Sequence, residues 1–214
     1  MSKKAFVVLY VLSPLIPVCL YLASIGWTIS GYGVSVALGV CAFVLVCNQL
    51  ILASRPAPIM KALGQKDLRA LHSAIPAAVI ILAVSHRLLK ASAGFDISGF
   101  QASLGAAGLI IIIALSLLAF MLIAAIGGKL GESVKVLRAR LAKNPGINYK
   151  LSRAFHAATA FAVPLLCIHF FLASSADFSR NLVGSLWLAI YALFSIYLFV
   201  MYRISGRTPG KERQ

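Results

Sequence analysis

Charge is what this sequence has least of. Of 214 residues only 12% are charged, and just five are acidic: Asp67, Asp96, Glu132, Asp177 and Glu212, all in predicted loops or at helix ends. A soluble domain carries about 25% charge, so a soluble globule is excluded. The four cysteines, Cys19, Cys41, Cys47 and Cys167, all fall inside apolar runs, with no C-x-x-C spacing and no C-x-x-C-H. That excludes a dithiol redox motif and covalent haem attachment, and it leaves the thiols as small packing residues. There is no low-complexity stretch and no soluble module. About ten polar residues follow the last apolar run, which leaves no room for a nucleotide- or flavin-binding domain.

What the chain does have is apolar length. No Asp, Glu, Lys, Arg or His occurs from Ala5 to Ser54, from Ile97 to Gly128, or from Asn181 to Tyr202. Roughly 20 apolar residues cross the hydrocarbon core as a helix, and the first run is long enough for two crossings, broken at Gly26-Trp27-Thr28-Ile29-Ser30-Gly31-Tyr32-Gly33. The fold expected is all-α: a single domain over 1–214, a bundle of six transmembrane helices at about 5–27, 32–54, 68–90, 103–127, 149–172 and 182–204. The N-terminus resembles a signal peptide, but its apolar stretch exceeds the usual 7–15 residues and no polar mature segment follows, so it is read as helix one. The initial Met and the polar tail are those expected of a whole chain.

The net charge of +15 does not call for nucleic acid, because its placement follows the membrane. Lys3, Lys4, Arg55, Lys61, Lys66 and Arg69 share one side with the basic residues between 129 and 153 and those after 202; only Arg87, Lys90 and Arg180 lie opposite. By the positive-inside rule both termini are cytoplasmic, in agreement with an even helix count, and a bacterial cytoplasmic membrane is the expected location. The basic segment 127–148 has apolar residues at 134, 137 and 141, a helical spacing that suits a stretch lying on the membrane surface.

All four histidines lie in two predicted membrane helices. Helix three carries His72 and His86, 14 apart, and helix five carries His156 and His169, 13 apart. Each pair is separated by roughly 20 Å along its helix, one His toward each face of a core about 30 Å thick. Both helices run outward, so His72 is level with His156 and His86 with His169. A lone intramembrane histidine is as readily an interhelical hydrogen bond; two level pairs suit two stacked b haems, each iron held by one imidazole from each helix. Fourteen residues come within about 40° of a common helix face, whereas thirteen miss by about 140°. Helix five therefore has to tighten locally, or the two haem planes approach it from different directions; Pro164 between its ligands permits a distortion. Pro76 does the same in helix three.

Haem propionates need cations. Arg69 and Arg153 each stand three residues before an inner His, in the echoed segments Arg69-Ala70-Leu71-His72 and Arg153-Ala154-Phe155-His156, and Arg87 and Lys90 are placed for the outer haem. The bland reading of these cations is interfacial snorkelling. Phe161, between the two levels, is expected to pack in the core, and Asn48 and Gln49 to hydrogen-bond a neighbouring helix.

Six helices, ligands on the third and fifth, and spacings of 14 and 13 resemble the ferric reductase-like transmembrane domain superfamily. It includes NADPH oxidases, metalloreductases and the haem membrane subunit of periplasmic methionine sulfoxide reductase. The resemblance implies that His72 and His156 bind the inner haem and His86 and His169 the outer. Two departures stand out. The cytoplasmic FAD/NADPH domain of the oxidases is absent, and helix two carries no charge before Arg55, where oxygen-reducing relatives place an arginine. The resemblance thus implies a haem-binding oxidoreductase subunit that carries electrons from a separate cytosolic flavoprotein, which supplies the flavin, to an extracytoplasmic acceptor. The alternatives are a dihaem b cytochrome exchanging electrons with membrane quinone, or a metal-ion transporter with a histidine-lined pathway.

Overall fold

The computed structural model describes residues 2–123, 132, 136, 139, 158–173 and 179–205. Among these the chain is all helical, with no strand: α1 Lys3–Leu12, α2 Leu15–Ser24, α3 Gly31–Ala53, α4 Ala57–Ser92, α5 Phe100–Ile123, a 3₁₀ turn Thr159–Phe161, α6 Ala162–Phe171 and α7 Leu182–Ile204. Five stretches, with α1 and α2 taken together as one, are long and apolar enough to cross a membrane; α6 is a shorter apolar helix. The chain is a multi-pass membrane protein in contact with lipid. The second and last expected helices (32–54 and 182–204) match α3 and α7 to within a residue. The fifth falls partly outside the described residues, since 149–157 are not among them, as does the surface stretch 127–148 apart from three positions.

Local chemistry sets the boundaries. Ser2 caps α1 by accepting from the Ala5 amide at 3.2 Å. The first expected helix is two segments, because Pro14 has no N–H to continue the ladder of α1. Ser30 caps α3, accepting from Gly33 at 3.0 Å. The third helix begins earlier than its apolar pattern suggested, at Ala57, and kinks at Gly64, whose φ of 68° and ψ of 170° belong to a region essentially confined to glycine. Asn181 caps α7 through the Gly184 amide at 3.2 Å.

The buried centre is α3. Val36, Val40, Phe43, Val44, Cys47 and Leu50 on it meet Val79 of α4, Val163 of α6 and Leu188 and Ala192 of α7. α3 packs chiefly on α4 and α7, and α5 packs on α6. The other helices turn Ile81, Ile110, Ile190 and Leu193 outward, as helices bathed in lipid do. Lipid is as apolar as leucine, so burial alone does not hold such helices together; close packing and interhelical hydrogen bonds do. Asn48, 2% exposed, donates from Nδ2 to the Tyr10 carbonyl at 3.3 Å and to Ser13 Oγ at 2.9 Å. The Tyr191 hydroxyl donates to Asn48 Oδ1, and Gln49 Nε2 donates to the Tyr10 hydroxyl at 2.8 Å. The interhelical role expected of Asn48 and Gln49 is thereby met: this polar knot ties α1, α3 and α7.

Candidate functional site

Two hairpins build the site, α3 with α4 and α5 with α6. His86 stands near the end of α4 and His169 near the end of α6, and their rings are neighbours, with centroids 6.3 Å apart and planes at 85°. Each ring is fastened to the partner helix of its own hairpin. His86 Nδ1 lies 2.7 Å from the Ser35 carbonyl oxygen of α3, while the Ser35 hydroxyl, 3.1 Å from the same nitrogen, donates to the His86 carbonyl at 2.9 Å. His169 Nδ1 lies 2.7 Å from the Gln101 carbonyl oxygen of α5, and Gln101 Nε2 returns to the His169 carbonyl at 3.4 Å.

A carbonyl oxygen only accepts, so the proton in each neutral ring sits on Nδ1, a tautomer assigned from this network. The Nε2 lone pair of each imidazole is then left for a ligand. No hydrogen bond reaches either Nε2 among the described residues. This is the state in which a histidine binds a metal, its other nitrogen oriented by a backbone carbonyl.

Glycine makes the approach possible. A Cβ on Gly39 would lie 2.9 Å from His86 Nδ1, and one on Gly105 would lie 2.7 Å from both Nδ1 and Cε1 of His169. Helical side chains tilt toward the N-terminus, so the residue at i+4 overhangs the carbonyl at i. Gly39 follows Ser35 by four and Gly105 follows Gln101 by four; each glycine uncovers the carbonyl that its histidine needs. These four residues went unread in the sequence. Their signal was there, in the parallel segments Ser35-Val36-Ala37-Leu38-Gly39 and Gln101-Ala102-Ser103-Leu104-Gly105.

Both imidazoles line one cavity, which opens between α3, α4, α5 and α6. Its walls are apolar: Val36, Val40, Phe43, Val79, Leu109, Ile112 and Leu166 among them. Its polar end carries Arg87, Lys90, Asp96, Gln101 and Asn181, so both cations expected near the outer pair do reach it. Arg87 Nη2 donates to the Ile97 carbonyl at 3.5 Å. Lys90 Nζ lies 5.4 Å from the Tyr32 ring and 5.7 Å from the Phe95 ring, which stack at 4.5 Å. Asp96 accepts from the Ser98 hydroxyl at 2.6 Å and the Ser98 amide at 2.7 Å, and these bonds hold its carboxyl below the usual range.

The remaining expected residues fare differently. His72 is half-buried on α4, 14 residues and about 21 Å along the helix from His86. Its expected level partner His156, and Arg153, lie outside the described residues. Arg69 is exposed and its Nε turns back to the Gln65 carbonyl at 3.3 Å. Phe161 is 71% exposed and faces the surroundings of the bundle, which corrects the core role expected of it. The 3₁₀ turn at Thr159–Phe161 is local tightening in the sense that helix five needs: three residues at 120° in place of 100° contribute about 60° toward the mismatch of about 140°.

Among the described residues no group of three or more His, Cys, Asp or Glu is gathered to hold a metal ion. The pair of imidazoles supplies two ligands only. At about 2 Å from metal to imidazole nitrogen, a metal between two rings sets their centroids roughly 6 Å apart, and 6.3 Å is found. The spacing of the two rings is thus compatible with one metal held between them, its remaining ligands supplied from outside this pair. No protein-family model matches the chain, and no curated protein or solved structure matches it either.

Proposed function

We propose that this protein is a ferric reductase-like membrane subunit that carries electrons across the bilayer through two b haems. The observation that carries the reading is the His86–His169 pair: two imidazoles with protonated Nδ1 and open Nε2, spaced for one iron, at the wall of an apolar cavity with cations at one end. Haem bound there would supply a one-electron iron couple, and His86 and His169 would both be spent on holding it, which would favour electron exchange over oxygen binding. His86 and His169 would hold the outer group and His72 with His156 the inner one. Arg87 and Lys90, which line the same cavity, would supply positive charge for the propionates, and the apolar walls would raise the weight of each such charge.

The direction of transfer follows from charge placement. With Lys3, Arg55, Lys61 and Arg69 on the cytoplasmic side of a bacterial inner membrane, electrons enter from a cytosolic reduced flavoprotein that brings its own flavin, steered by the basic loops. They leave to an extracytoplasmic acceptor at the end that holds Arg87 and Lys90. The test is a dithionite-reduced-minus-oxidised absorption spectrum of the purified chain. Soret and α-band changes corresponding to two b haems per chain are expected, and their absence overturns the reading. Rapid reduction by quinol, with none by reduced flavin, would replace the flavoprotein with membrane quinone as donor.

A further inference from the structure

The two histidines are held in angle as well as in place. A ring bound only through Nε2 spins freely about its bond to the metal. A hydrogen bond from Nδ1 stops that rotation, because it fixes a second point on the ring. Here both second points are backbone atoms of rigid helices, the Ser35 and Gln101 carbonyls, each 2.7 Å from its Nδ1. Gly39 and Gly105 lie against the Nδ1–Cε1 edges, where a Cβ would come within 2.9 Å and 2.7 Å. The result is a pair of planes at 85°.

We propose that Ser35 with Gly39 and Gln101 with Gly105 are two copies of one positioning clamp, which sets the imidazole planes perpendicular and so tunes the iron between them. This rests on the haem reading above and deepens it. Imidazoles crossed at right angles leave the two metal d orbitals that interact with them close in energy; parallel ones split that pair. Crossed planes therefore give a strongly anisotropic low-spin ferric signal and a higher reduction potential than parallel planes. Ser35, Gly39, Gln101 and Gly105 act through the two histidines.

The test is electron paramagnetic resonance and redox titration of the haem-loaded full chain in detergent. The wild type is expected to show a strongly anisotropic low-spin signal from the His86–His169 site. Gly105→Ala pushes the ring off its carbonyl, so that signal shifts toward the rhombic form of more nearly parallel planes and the potential falls. Gly39→Ala acts in the same direction. Gly108→Ala is the matched control on the same helix: its Cβ meets Leu166, 2.8 Å from Cδ2 and 3.0 Å from Cγ, and the Ala162 carbonyl oxygen at 3.8 Å, but no atom of His169, and the signal should stay. A second route does not depend on Gly105→Ala keeping its haem. In His169→Gly, added imidazole keeps an N–H for the Gln101 carbonyl and restores the anisotropic signal, whereas 1-methylimidazole has none and restores a rhombic one. The clamp is overturned by an unchanged signal in Gly105→Ala, by equal shifts in Gly105→Ala and Gly108→Ala, or by identical signals with the two added ligands. Failure of His169→Gly to take up either ligand also overturns it, since the chain tether would then be what holds the ring. A wild type with bis-imidazole haem but parallel planes refutes the clamp alone; a wild type without haem refutes the function.

Discussion

Two clusters of polar side chains sit inside this apolar bundle, and they are finished to different degrees. In the knot of Tyr10, Ser13, Asn48, Gln49 and Tyr191, the side chains answer one another across α1, α3 and α7. Gln49 Oε1 is the one acceptor in it left without a partner. In the His86–His169 cluster the hydrogen bonds stop at Nδ1, and both rings line a cavity. A polar group in a membrane that has used its bonds on neighbouring helices is glue. One that has used half of them, on the wall of a cavity, is prepared for a ligand. The difference between structure and function in this protein is thus read from which nitrogen is occupied.

Substitutions that separate the clusters test this. The largest effect is expected from His86→Leu or His169→Leu, each of which removes one of two haems, so that the pyridine haemochrome yield per chain falls by about half. His72→Leu should remove the other half. Asn48→Ala comes next: it removes the hydrogen bonds that the Asn48 side chain makes to Tyr191, Ser13 and the Tyr10 carbonyl and costs about 1 kcal/mol of stability. The thermal midpoint in detergent falls while the haem spectrum is unchanged. A spectrum that moved with Asn48 would erase the distinction drawn here. Ser35→Ala removes a hydroxyl but keeps the carbonyl that holds His86, so haem content stays full and stability drops by less than about 1 kcal/mol. The smallest effect is expected from Asp96→Asn. Its carboxyl is held below the ordinary range by the Ser98 hydrogen bonds, so its contribution is present above the unfolded-state value and is lost as pH falls through the folded one. Wild type and Asp96→Asn should differ slightly near neutral pH, and the gap in thermal midpoint should close in acid.

Much of this was legible beforehand. Charge-free runs gave the helices of α3 and α7 nearly to the residue, because the apolar length of a membrane span is a physical requirement. The pairing of His86 with His169 followed from depth alone. What stayed hidden is backbone chemistry. The Ser35 and Gln101 carbonyls carry no mark in a sequence, and the glycines that uncover them read as ordinary small residues of a membrane helix. The extra turns at the start of α4 were missed because Lys61, Lys66 and Asp67 hide a helix from a hydropathy reading, and because Gly64 adopts a backbone conformation that composition does not announce. The break of the first helix was signalled by Pro14, and the 3₁₀ turn before α6 by the awkward spacing of 13.

Each clamp is closed within one hairpin, and this bears on how the protein is made. Once residue 92 has entered the membrane, α3 and α4 are both present, and His86 already has its carbonyl and its glycine before α5 has joined them there. The second half-site matures in the same way when α6 follows α5. The cavity exists only after the two hairpins meet. A two-stage membrane assembly, first insertion and then association, therefore delivers two preset half-sites, and the approach of the two histidines reports their docking.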